Sequence, residues 1–228
     1  MLRNLAFHAA LALLGAGVAV TGAWAMHQES TAYLAGGFSS IARVAAWTTQ
    51  PVSPGLSIFT QKLTLLDCDN ALVGMASLEM QYVDAARRDA VAPTCLALAD
   101  SLAADSPTFS YAWYVGARAS AQLHDWRGLN DRLLRSRMTG PTEQWIAERR
   151  ASLAEENLVA LDEHAQAAHA LDLRALVRSN HGVATIASRY VANAAFRDRI
   201  TAIVETMTAE DQQRFIAGIR NAVAEERS

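Results

Sequence analysis

Three groups of side chains in this sequence have the types that catalysis or metal binding uses. His164 and His169 lie five residues apart in a helical stretch, which turns them about 140° from each other around a helix. A zinc helix needs its two imidazoles at i and i+4 on one face, so the pair reads as surface or partly buried histidines. His124 beside Asp125 has the composition of a catalytic dyad, but no nucleophile motif such as G-x-S-x-G accompanies it, and it reads as a turn. Glu148, Glu155, Glu156, Asp162 and Glu163, interrupted by Arg149 and Arg150, read as a solvated helix face of weak i, i+3 and i, i+4 ion pairs. Glycoside cleavage needs two carboxylates at a defined separation across a cleft, which proximity in sequence does not supply. The expectation is a non-enzymatic chain with no catalytic residue, cofactor site or metal site.

Cys68 and Cys95 are the only cysteines. In an exported chain they are expected to pair, because oxidising compartments favour disulfides. Against this, two cysteines that each open one helix of an antiparallel hairpin would sit at opposite ends, beyond the ~7 Å limit between bridged Cα atoms. Both a Cys68–Cys95 bond and two separate thiols stay open at this point.

The elements that must position these groups begin with a membrane signal. After Arg3, residues 5–26 carry no formal charge, and about 20 such residues span a bilayer as a helix. Ala23-Trp24-Ala25 offers a small-x-small cleavage site, yet the length of the run and Trp24 near its outer end favour an uncleaved signal anchor over a signal peptide. Either way the rest of the chain is exported. With Arg3 inside, the expected location is a bacterial inner membrane, single-pass, with the main domain in the periplasm. Net charge is −3 and Lys62 is the only lysine, which gives no support for nucleic-acid binding.

Residues 27–56 read as a connector, with a short helix expected within 32–48 and breakers at Gly36-Gly37 and in "QPVSPG" at 50–55. From 57 to 228 helical patterns recur and strand patterns are scarce, so the chain is expected to be all-α, with one helical domain over 57–228. Breakers near 67–70, 91–93, 105–107, 123–125, 139–141, 179–182 and 207–211 divide it. Thr208 with Asp211 resembles an acidic capping box ahead of a terminal amphipathic helix bearing Phe215, Ile216, Ile219 and Val223.

The interval from Pro107 to Pro141 equals the period of tetratricopeptide repeats. Between them an aromatic-rich helix, a turn at His124-Asp125-Trp126 and a second amphipathic helix follow in the order of such a repeat. Trp113, Ala117, Asp125-Trp126 and Pro141 match the repeat and Leu129 and Leu133 occupy its second-helix packing positions, while Gly116, Ser120 and Leu129 differ in type from the usual leucine, tyrosine and small alanine. The segment 76–109 keeps Cys95, Ala99 and Pro107 but has Glu79 in place of the tryptophan, and after Pro141 the pattern fades. The chain thus resembles a degenerate tetratricopeptide-like helical-hairpin protein, a short α-solenoid of antiparallel pairs with its best repeat at 110–143. That resemblance implies that Trp113 faces the packing between helices. Tyr111, Tyr114, Arg118 and Gln122, at offsets of three, four and four, form one helical stripe and are expected to contact a partner. The implied function is an extracytoplasmic scaffold for a protein partner in envelope assembly, linked to polysaccharide machinery. The alternatives are a small helical envelope lyase or hydrolase, or an obligate subunit of a membrane complex.

Overall fold

The computed structural model describes residues 2–34 and 38–226. All regular structure among them is helical. The glycine pair at 36–37, expected to break the connector, lies outside the described residues. The chain divides into two compact units, residues 1–98 and 99–228.

The first unit opens with α1 (Leu2–Leu34), which continues well past Met26. Within Ala6–Ser30 an 18-residue window reaches a mean hydropathy of 1.8, and none of that window is buried in protein. Next comes α2 (Ser40–Trp47), where the Ser39 hydroxyl accepts from Ala42 N and so satisfies one of the free amides of the first turn. It buries Ile41, Val44 and Trp47 and packs against α3 (Ile58–Val73). A 3₁₀ turn at Gly74–Ala76 and the single turn α4 (Leu78–Gln81) lead to α5 (Ala85–Asp105).

Two expected breaks are absent. The helix α3 runs through 67–70, and α5 runs through Pro93. A proline inside a helix removes one amide donor and crowds the preceding turn, but Val91, Ala92 and Cys95 around it are buried, so tertiary packing outweighs the local penalty. Because α3 and α5 are uninterrupted, Cys68 and Cys95 fall in their middles and open neither. The two are bonded, with Cα atoms 5.5 Å apart, which removes the geometric objection to the disulfide.

In the second unit, α6 (Ser110–Gln122) and α7 (Trp126–Thr139) form a hairpin. His124 turns the chain at φ 57°, and Asp125 caps α7 by accepting from Gly128 N, so the turn reading of this pair holds. The helices are antiparallel: Ser136 Oγ near the end of α7 donates to the Ser110 carbonyl at the start of α6, 2.9 Å away. Gly116, a departure from the repeat pattern, has a reason here. A Cβ at that position would lie 2.9 Å from Arg132 Cδ, and Arg132 uses the space to reach Asp100 at 2.8 Å and Ser120 at 3.2 Å.

A second hairpin, α8 (Gln144–Glu156) and α9 (Glu163–Arg178), starts one such period after the first, with a 3₁₀ turn at Leu158–Ala160 between its helices. Contacts join α6 to α8 and α7 to α9. The junction is fixed by Arg150, which is buried and not on a solvated face. It makes two 2.7 Å hydrogen bonds to Asp172 and donates also to Ser136 O and Gly140 O. Three helices finish the unit: the short α10 (Gly182–Ala192) and α11 (Ala194–Val204), then the longer α12 (Ala209–Glu226). Asp211 N donates to Thr208 Oγ1 at the start of α12, as the capping pattern predicts. These helices share one core with α8 and α9, built on Leu173, Leu176, Ile186, Phe196, Ile200 and Phe215.

Candidate functional site

The predicted contact stripe does not lie on the surface. Tyr111, Tyr114 and Arg118 are 1%, 0% and 6% exposed, and only Gln122 is not buried. The cause is α8. Tyr111 stacks on Tyr114 with ring centres 5.9 Å apart and meets Trp145 at 4.7 Å. Arg118 Nε donates to Tyr114 Oη at 2.8 Å, and its Nη1 pairs with Glu156 at 3.3 Å. The expected core residue Trp113 is instead half-buried, its indole donating to Pro107 O and its ring covered by Arg135 at 5.0 Å. Core and surface are therefore exchanged on α6 relative to the expectation.

A cavity of about 500 Å³ opens elsewhere in the second unit. Gln166, His169, Ala170 and Leu173 line it from one face of α9, at spacings of three, four and seven, and Arg199, Ala202 and Ile203 from one face of α11. Leu158 and Val159, from the 3₁₀ turn, complete the wall, and Val159 is fully exposed. The lining is mainly apolar, with a polar group at its base. His169 is 7% exposed, and its Nε2 lies 2.7 Å from Oε1 of the buried Glu155 carboxylate. Oε2 of Glu155 accepts from Arg199 Nη2.

Burial pushes the Glu155 carboxyl up, but hydrogen bonds from His169 and Arg199, with their charges, outweigh it and hold the group below its ordinary range. An ionised carboxylate only accepts, so His169 Nε2 is the donor. The neutral imidazole then presents Nδ1 as an acceptor, and the protonated ring presents it as a donor. His169 Nδ1 and Arg199 Nε are buried and have no hydrogen-bond partner. Buried polar atoms are seldom left unpaired, and these two, from residues that line the cavity, set an imidazole nitrogen beside a permanent cationic donor.

The other sequence candidates separate. His164 is exposed, on a different side of α9 from His169. Glu148 accepts from Gln144, Asp162 caps α9 and Glu156 pairs with Arg118. Of the acidic series, Glu155 is the one bonded to the cavity-lining His169 and Arg199. Sequence reasoning missed the Glu155–His169–Arg199 group because His169 and Arg199 stand 14 and 44 positions after Glu155, on two further helices, and no local motif records such a meeting. Comparison with known proteins finds no match to a family model, a curated protein or a solved structure.

Proposed function

We propose that this chain is a membrane-tethered helical scaffold, tetratricopeptide-like in its two hairpins, that holds a protein partner outside the cytoplasm during assembly of the cell envelope or its polysaccharide. The observation that carries the reading is the cavity between α9, α11 and the 3₁₀ turn. An apolar wall with two unpaired polar atoms fits an apolar side chain or short segment of a partner, with a carbonyl or carboxylate to meet Arg199. The recurrence of hairpins at one repeat period, the apolar α1 and the disulfide support the same reading. Holding is favoured over reaction because both oxygens of Glu155 are engaged, and the cavity lining supplies no hydroxyl or thiol nucleophile.

The test is photo-crosslinking in cells that make the full chain, with benzoylphenylalanine at Val159. One discrete protein adduct is expected, and it should vanish when Ala202→Trp fills the cavity while the melting temperature holds. An adduct unaffected by Ala202→Trp would sink the proposed site. A cavity that instead consumes a small molecule, with turnover lost in His169→Gln, would favour the enzyme reading.

A further inference from the structure

The first unit carries a second surface beside the end of α1. From Ala6 to Met26, α1 rises about 31 Å, the thickness of a ~30 Å hydrocarbon core. Glu29, three residues further on, then stands about 4.5 Å beyond that core, within the headgroup layer. Its carboxylate accepts from Leu56 N and Ser57 N, both at 2.6 Å, from Ser57 Oγ at 2.8 Å and from Thr60 Oγ1. These bonds fasten the first turn of α3 at the level of the headgroups. The side chains flanking the junction are Leu56, Ile58 and Phe59, 52%, 53% and 62% exposed. Lys62, the only lysine of the chain, is exposed one turn later on the same face, four residues from Ile58 and three from Phe59.

An apolar trio held in the headgroup layer beneath a cation matches the order of a bilayer interface. Apolar groups enter the acyl boundary there, and a lysine keeps its stem in contact with them while its ammonium meets phosphate. We infer that Leu56, Ile58 and Phe59 dip into the leaflet that receives the C-terminal end of α1, with Lys62 on the phosphate of an anionic lipid. The contact is continuous with the span itself, so one bilayer covers both. It fixes the first unit flat on the membrane, where α1 alone would leave it free to swivel. This inference rests on reading α1 as a retained span, a part of the proposed function.

The full chain in vesicles of phosphatidylethanolamine and phosphatidylglycerol tests it. A genetically encoded nitroxide amino acid is placed at Leu14, Phe59 or Glu210, because Cys68 and Cys95 are bonded and thiol labelling would disturb them. Collisions with oxygen, which concentrates in lipid, are compared with collisions with a water-soluble nickel complex. Positions 14 and 59 are expected to favour oxygen and position 210 nickel, and Lys62→Glu should shift position 59 toward nickel. A label at 59 that matches 210 while 14 stays in lipid overturns the membrane contact of Leu56, Ile58 and Phe59 and leaves the anchor standing. If 14 also reports water, the anchor reading itself fails and takes this contact with it. A label at 59 shielded from both reagents means that protein covers the face, and the lipid assignment is wrong.

Discussion

Tyr114 and Trp113 are neighbours on α6 in different environments, the tyrosine wholly enclosed and the tryptophan partly in solvent. Tyr114→Ala is expected to cost about 3–5 kcal/mol, as truncation of a buried large aromatic does, with part of the loss arising because Arg118 Nε is left without its partner. Trp113→Ala should cost about 1 kcal/mol, near the centre of the range for single substitutions. Urea unfolding of the two variants decides between them, and equal losses would contradict the packing described. A second expectation at this scale concerns acid. Glu155 has an ordinary value of 4.5 and Asp211 of 3.8. Burial pushes both up, but His169 and Arg199 on the first, and Thr208, Arg214 and Arg178 on the second, hold both below those values. A depressed carboxyl contributes stability that is complete above its unfolded value and is lost as pH falls through its folded one. The melting temperature should therefore be level with respect to these groups from pH 7 to about 5 and fall below about 4.5. Glu155→Gln with Asp211→Asn should flatten that fall; an unchanged slope would show that neither carboxylate drives it.

Helices α3 and α5 are where sequence and fold disagree most, and their disulfide explains why that matters. The cysteines pair only because both helices run through residues that locally favour a break. Closing a separation of 27 residues is worth about 3 kcal/mol through the unfolded chain. Reduction under denaturant is accordingly expected to lower the stability of the first unit by about that amount and to leave the second unit's transition in place. A loss shared by both transitions would mean that the units unfold as one. The hairpin α6–α7 was legible because its evidence is local: an aromatic-rich segment, a turn with Asp125 as cap, and a closing proline. The break at His124 and the cap at Thr208 were legible for the same reason. The face of α6 that is buried was not, because α8, arriving one repeat period later, decides it. Trp145 stands one such interval after Tyr111 and covers it, a recurrence of aromatics that was the available signal. For Glu155, His169 and Arg199 no comparable periodic signal exists, since their meeting depends on how three helices cross.

Over the whole molecule, α1 and the disulfide place the same demand on compartment. Under the proposed reading, the helix long and apolar enough to span a membrane, preceded by Arg3, inserts with its N-terminus on the cytoplasmic side. A buried disulfide in the unit attached to its other end needs oxidising surroundings to form. These are independent observations, one about apolar length and the other about sulfur chemistry, and the proposed reading, in which α1 delivers the remainder of the chain across the membrane, accounts for both. The expected outcome is a membrane-bound chain whose N-terminal sequence begins before Arg3. Alkylation of intact cells and of their denatured membranes should modify neither Cys68 nor Cys95 until a reductant is added. A sequence starting at Met26 would replace the anchor with a cleaved signal and leave export standing. Free thiols on the membrane-bound chain before reduction would be the contrary result, because a reducing side would then hold the folded unit and the orientation would have to be reversed.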